Sequence, residues 1–443
     1  MVEAWKSIVE KKRAALASAI PKEWVTPELK EDMISKGFVK TRDYLDTILP
    51  KEEIEITSKT IPELSKLIST NELSAVQVTK AFTHRAMLAH QILGCCSEIF
   101  VDQALNRAAE LDETFKETGK TVGALHGIPI SLKDQVDLAQ IPSSIGYVSL
   151  ANQKKTQNAL LADKLLEQGA VFFAKTCVPM AMMAPETASN LYPYNYSAAN
   201  INLSSGGSSG GEGSLIAAGG ARAGFGPDIG GSIRIPATYN GLFAIKPSVG
   251  RGSYLRVSNS YEAQESIPSV IGPLAQTLEE VEFMMETVVG AKCWLDDPKV
   301  LPLEWRKYVI PDKVKIGVWF DSGDVEPMPA ITRVLGEVFE DLSQAPGVEV
   351  VKVQWPDHSR LIKALFNVFG ADGGKEILDE CKKSGEPVHD LLDYLVGSKS
   401  PQPALDINGW WNLCQEVYRI KQIYLHFWKD NGLDAIVAPV MAS

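Results

Sequence analysis

Two serines set in glycine, Ser208 in Gly206-Gly-Ser-Ser-Gly210 and Ser232 in Asp228-Ile-Gly-Gly-Ser232, are the side chains of this 443-residue sequence with the most chemistry to offer. Glycine is costly in backbone entropy, so such runs persist where the main chain takes positive φ or closely approaches a ligand. A phosphate-binding loop would end in Gly-Lys-Ser/Thr, and Glu212 stands where the cation belongs. A nucleophile elbow is matched by Gly206 to Gly210, but it should follow an apolar strand, and Ser197 to Ser205 are mostly small and polar. The third reading is an oxyanion hole. Ile229, Gly230, Gly231 and Ser232 offer consecutive backbone N–H groups beside a serine hydroxyl, the arrangement that stabilises an acyl-transfer intermediate. A flexible linker would lack the apolar Leu215, Ile216, Phe225, Ile229 and Ile233.

A nucleophilic serine needs a base. None of the six histidines lies between His126 and His358, which leaves Lys133 in Gly127-Ile-Pro-Ile-Ser-Leu-Lys133. Period-two alternation puts Ser131 and Lys133 on one strand face and Ile130 and Leu132 on the other. A lysine carried inward on such a strand is a buried ion-pair partner or a base, since desolvation lowers its pKa toward a neutral, proton-accepting amine.

The blocks Gly127 to Lys133, Gly206 to Glu212 and Asp228 to Arg234 together resemble the amidase signature family, and the N-terminal half is most similar to its fungal acetamidases and general amidases. Lys246-Pro-Ser-Val-Gly-Arg251 and Gly272-Pro-Leu274 extend the likeness over nearly the whole chain. The resemblance implies an α/β fold with a mixed central sheet covered by helices on both faces. It implies a catalytic set of Lys133, Ser208 after a cis peptide bond, and nucleophilic Ser232. Met182 falls where relatives line the substrate pocket, with core packing as the alternative, and Arg234 is expected to hold the loop by hydrogen bonds. His126 is positional in this comparison. Two departures flank the site. Pro227 replaces a common threonine, and Asn195-Tyr196-Ser197-Ala198 replaces a Thr-x-Asn-Pro segment.

The elements that must position these groups are legible from periodicity. Residues 4–18 are expected to form a helix that packs on the body or makes a dimer contact, so a homodimer is one expected state. Ser74 is an N-cap for a helix through about Leu93, and Asp102 starts another through about Lys116. The Lys133 strand, a helix near 159–168 and the strand Val171 to Ala174 follow. One helix and one short strand are expected between the two serines. Later come a helix from Thr277 to Val289, strands over 314–320 and 348–353 around a helix over 330–342, and a mainly helical stretch from His358 to His426. Strands alternating with helices point to a mixed or parallel sheet.

Composition bounds the rest. No Pro/Gly/Ser-rich or charged linker divides the chain, so a single domain over 1–443 is expected. It would comprise a helical segment over about 1–60, a catalytic core over about 61–290 and a mainly helical, substrate-side region over about 300–430. A formal net charge of −11 without a Lys/Arg cluster argues against nucleic acid or an anionic membrane as partner and for a small-molecule amide. Charges throughout Met1 to Ile20 exclude a signal peptide or anchor there, and no run of about 18 apolar residues occurs. The six cysteines show no zinc spacing, and reduced thiols fit a cytoplasmic protein. Relatives are expected to continue beyond Ser443 with segments that complete the sheet, which would leave an apolar edge uncovered.

The expected function is therefore serine amidohydrolysis of small monocarboxylic acid amides through an acyl-enzyme, without metal or cofactor. Two alternatives stay open at this point. One is an amidase-like protein weakened by Pro227 and the early stop; the other is an α/β-hydrolase-type Ser-His-Asp esterase pairing Ser208 with His358 or His426.

Overall fold

In a computed structural model that describes residues 4–396 and 403–442, the strands sort into two sheets. The larger comprises β1 (Cys96–Ile99), β2 (Pro129–Lys133), β3 (Val171–Thr176), β4 (Ala223–Asp228), β5 (Phe243–Ala244) and β6 (Val270–Ala275), in the order β1-β3-β2-β4-β6-β5. β2 runs parallel to both β3 and β4, whereas β1, β6 and β5 are antiparallel to their neighbours, so the sheet is mixed. The two strands that carry the lysine and lead to Ser232 are thus adjacent at its centre.

Side-chain alternation divides the apolar residues of this sheet between two cores. Val171 and Phe173 pack with Leu215 and Ile216 of the helix Gly210–Ala217 and with the helix Val101–Thr118. Phe172, Ile130, Leu132 and Phe225 pack on the other face with the helices Ile61–Ser69, Leu160–Glu167 and Leu278–Gly290. The helix Ala75–Leu93 contributes to both cores, and Ser74 caps it in a reciprocal box with Gln77. The α/β architecture with helices on both faces is as expected.

Where the sequence leads to one domain, the contacts of the chain gather into two compact units. The first holds residues 1–263, 268–305 and 376–393; the second holds 264–267, 306–375 and 394–443. The chain enters each unit more than once, which is why no linker-like composition marks a boundary. In the second unit β7 (Val314–Val318) lies between β8 (Val348–Lys352) and β9 (Ala435–Val437), all parallel. The helices His358–Phe369 and Ile407–Asp430 share an apolar core there. Residues 397–402 of the stretch expected to be mainly helical lie outside the described residues. Among the described residues no helix is long and apolar enough to cross a membrane.

Residues 4–18 form the expected helix, packed within the first unit. Val9 joins a small apolar cluster with Val148 and Leu191, Lys12 pairs with Glu98, and Arg13 Nε donates to the Leu191 carbonyl.

Candidate active site

Lys133 ends β2 and is almost wholly enclosed, with 1 % of its surface exposed. Its Nζ lies 2.7 Å from Ser208 Oγ and 3.4 Å from the Pro227 carbonyl oxygen. Desolvation pulls the ammonium down to about 7, against the opposing pull of Asp228, Asp134 and Glu212. A lysine in this state is an available amine near neutral pH.

Ser208 follows a cis Gly207–Ser208 peptide and precedes the helix Gly210–Ala217. Gly207 has no room for a side chain, since a Cβ would come within 2.5 Å of the Ala184 carbonyl oxygen. Thr187 Oγ1 donates to the Gly206 carbonyl and accepts the Gly210 N–H, fixing the turn from both sides.

β4 delivers Ser232. Its glycines clear space on the face toward the Gly210 helix: a Cβ at Gly224 would lie 1.6 Å from Glu212 Oε1, and one at Gly226 would lie 2.6 Å from Ser209 Oγ. The chain then turns about Asp228, whose carboxylate accepts the N–H groups of Gly231 (2.8 Å) and Ile233 (3.0 Å) and a bidentate contact from Arg234. Burial pulls the Asp228 carboxyl upward, but Arg234 and the two N–H groups outweigh it and hold it below its usual value. Arg234 therefore does brace the loop. Ser232 is half-buried, and its carbonyl accepts the Ser209 N–H at 3.1 Å, tying the two serine segments together. No hydrogen bond joins the Ser208 and Ser232 hydroxyls.

The expected oxyanion set needs one correction. The Gly231 N–H is engaged by Asp228, a charged acceptor that outcompetes a neutral carbonyl. The N–H groups of Ile229, Gly230 and Ser232 donate to no such acceptor among the described residues and remain available. Gly231 itself takes φ 125°, a conformation reserved for glycine.

A buried network behind the lysine was not apparent in the sequence. Glu212, fully enclosed, accepts hydrogen bonds from Ser131 Oγ and Thr176 Oγ1, both at 2.6 Å. Burial raises its carboxyl to about 7 despite those two donors. Asp134 accepts from the Ile145 N–H and the Ser97 hydroxyl, anchoring the end of β2. The one signal in the sequence is the position of these acids, Glu212 at the end of the Gly206–Glu212 block and Asp134 directly after Lys133.

The remaining candidates fall into place around this centre. Met182 is buried in the 179–187 segment that packs on Gly207, and both it and Ala181 have φ 59°. His126 is 1 % exposed and its Nδ1 accepts the Val122 N–H, so it stays with its own loop. Pro227 keeps its place opposite Ile271 on the β6 side, beyond the last paired residue of β2. There a missing N–H costs no bond to β2. In the second departure from the family pattern, Asn195 Nδ2 donates to the Leu93 carbonyl and Ser197 Oγ to that of Tyr239. His358 stacks edge-on against Trp319, and His426 is exposed.

The family model described as Amidase matches residues 77–443. The chain is 39 % identical to a "Probable amidase" of Saccharomyces cerevisiae, covering 98 % of this chain and 80 % of that protein. It is 35 % identical to an "Acetamidase" of Emericella nidulans, covering 99 % and 82 % respectively. Among solved structures, "Fatty acid amide hydrolase" superposes with a TM-score of 0.92 at 35 % identity, covering 98 % of this chain and 77 % of that one.

Proposed function

The chain belongs to the amidase signature family and is an amidase, and from that premise we propose that it hydrolyses small monocarboxylic acid amides through Lys133, Ser208 and Ser232. The observation that carries this reading is the 2.7 Å contact between Ser208 Oγ and an enclosed lysine held near pKa 7. Neutral Lys133 takes the Ser208 proton as Ser208 takes that of Ser232, and the Ser232 oxygen attacks the amide carbon. The relay requires the two hydroxyls to close on one another, as catalytic hydrogen bonds commonly do only in the Michaelis complex. The N–H groups of Ile229, Gly230 and Ser232 receive the developing oxyanion; losing one such donor costs about 100- to 1000-fold in turnover. The proton returns through Ser208 to the leaving nitrogen. Ammonia or an amine departs, and water attacks the acyl-Ser232 ester to release the acid and restore the hydroxyl.

The small-acyl assignment rests on the named acetamidase among the relatives, and Met182 is assigned to the pocket wall as a buried side chain of the 179–187 segment, whose Ala184 and Glu186 backbone packs on Gly207. We assign the activity to the cytoplasm because all six cysteines are free thiols, as in a reducing compartment. Two observations support this reading over the esterase alternative: Ser208 Oγ meets a lysine, and no strand of the sheet leads directly into Ser208 as a nucleophile elbow requires.

Intact-protein mass spectrometry with a fluorophosphonate is expected to label the wild type once and Ser232→Ala not at all. Label on Ser208 would refute the nucleophile assignment. An unlabelled wild type that also leaves acetamide and hexanamide intact would favour the weakened family member instead.

A further inference from the structure

The cysteine spacing along the chain matches no metal-binding pattern, yet the fold gathers three soft ligands in one place. The helix Ala75–Leu93 ends at Gly94 in the left-handed conformation, φ 65°, and β1 begins at Cys96 with an irregular register between Cys96 and Glu98. Consecutive side chains of a regular strand point to opposite faces. Here the turn instead leaves the sulfurs of adjacent Cys95 and Cys96 only 3.9 Å apart. His90, in the last turn of the helix, accepts the Cys96 N–H at Nδ1, 3.0 Å away. A ring nitrogen of His90 and both sulfurs lie within 4.8 Å of one another. The two cysteines are fully buried, while His90 is partly exposed and offers a way in from solvent.

We propose that His90, Cys95 and Cys96 form a binding site for a soft divalent cation of the zinc or cadmium type, distinct from the Lys133–Ser208–Ser232 centre. A zinc–sulfur bond of about 2.3 Å at a tetrahedral angle places two sulfurs about 3.8 Å apart, and the thiols already stand at 3.9 Å. Binding forms two metal–sulfur bonds and one metal–nitrogen bond. It displaces a proton from each thiol to solvent, and the His90 Nδ1 lone pair passes from the Cys96 N–H to the cation. A water completes the four-coordinate shell. Because protons are released, affinity weakens as pH falls.

The site also has a mechanical connection to the hydrolytic centre. The Cys95 carbonyl accepts the Cys177 N–H at 2.8 Å, and the Cys177 carbonyl accepts the Gly211 N–H at 3.2 Å. A Cβ on Gly211 would lie 2.5 Å from the Cys95 oxygen, so these backbones are in direct contact. A cation that draws Cys95 toward His90 displaces the start of the Gly210 helix and lowers hydrolysis. This last step rests on the proposed function; the binding itself does not.

Cadmium titration of the reduced full chain tests the site through the ultraviolet thiolate-to-metal charge-transfer band. One equivalent is expected to saturate the band in the wild type, with cadmium NMR reading two sulfur ligands. Affinity should fall roughly tenfold or more in His90→Phe. The band should vanish in the Cys95→Ala/Cys96→Ala double variant and persist in Cys414→Ala. Circular dichroism checks that the variants fold, and the NMR reading on the wild type requires no substitution. No band at one equivalent, a band that survives the double substitution, or a His90→Phe variant of unchanged affinity overturns the site as described. Cadmium that saturates the band but slows amide turnover equally in wild type and double variant overturns the connection to the helix.

Discussion

At the scale of single residues, the centre depends on two buried groups brought toward neutrality from opposite sides. Desolvation lowers Lys133 to about 7, and it can act as a base only when unprotonated. Amide turnover at subsaturating substrate should therefore rise with pH through about 7 and level off above it. Lys133→Ala should lose about 100- to 10,000-fold at neutral pH, with partial recovery where hydroxide is abundant. An unchanged rate, or a wild-type limb near the ordinary lysine value, would remove the lysine from the mechanism. Burial raises Glu212 from an ordinary 4.5 to about 7. The folded chain holds this proton more tightly than the unfolded one, so the group's contribution to stability is complete below about 4.5 and is lost as pH rises through about 7. Glu212→Gln keeps an amide oxygen for one of the two hydroxyl donors and abolishes the titration. Its thermal midpoint should gain on the wild type across that window, and parallel curves would show that Glu212 does not titrate there.

At the scale of elements, β4 and the Gly210 helix fit together only because β4 carries glycine at alternate positions. The Glu212 carboxylate occupies the space where a Gly224 side chain would stand, with 1.6 Å between them. Gly224→Ala should destabilise the fold by about 1–3 kcal/mol in denaturant unfolding, the usual range for overpacking. The penalty should shrink in a Glu212→Ala background, and simple additivity of the two substitutions would contradict the contact. This pairing also shows what a linear reading can and cannot reach. Alternation in Ile130-Ser131-Leu132-Lys133 exposes the inward lysine, and the Ser74 cap and the Leu278–Gly290 helix follow from local pattern. Those signals act over two to four residues. The use of the Gly231 N–H by Asp228, the clearance at Gly224 and Gly226, and the convergence of His90 with Cys95 and Cys96 depend on backbone course or distant packing. No spacing rule encodes them. The two compact units leave no mark in the sequence for a related reason, since the chain returns to each without a compositional break.

At the scale of the whole molecule, the quantity that bears on function is charge. The chain carries a formal −11 at pH 7, and a field of one sign changes encounter rates for charged ligands while leaving neutral ones alone. Arg234 is consumed by Asp228, and Lys246 is the further cation felt by that pair. A single charge 8 Å away is worth about 0.5 kcal/mol in water, which is small beside a surface potential of several kT. The net charge should therefore prevail over the local lysine. Primary amides are neutral and their acid products are anions, so the field leaves substrate entry untouched and favours product escape. An amide that carries its own carboxylate should be disfavoured relative to a neutral amide of equal length. Screening shortens the reach of the field to about 8 Å at physiological ionic strength, so added salt should narrow the difference. The measurement is the ratio of kcat/KM for succinamate to that for butyramide from low to high sodium chloride. The ratio should start below one and climb, with butyramide itself flat. A ratio that is independent of salt, or that falls, would mean that Lys246 and the immediate walls of the site govern the encounter rather than the charge of the chain.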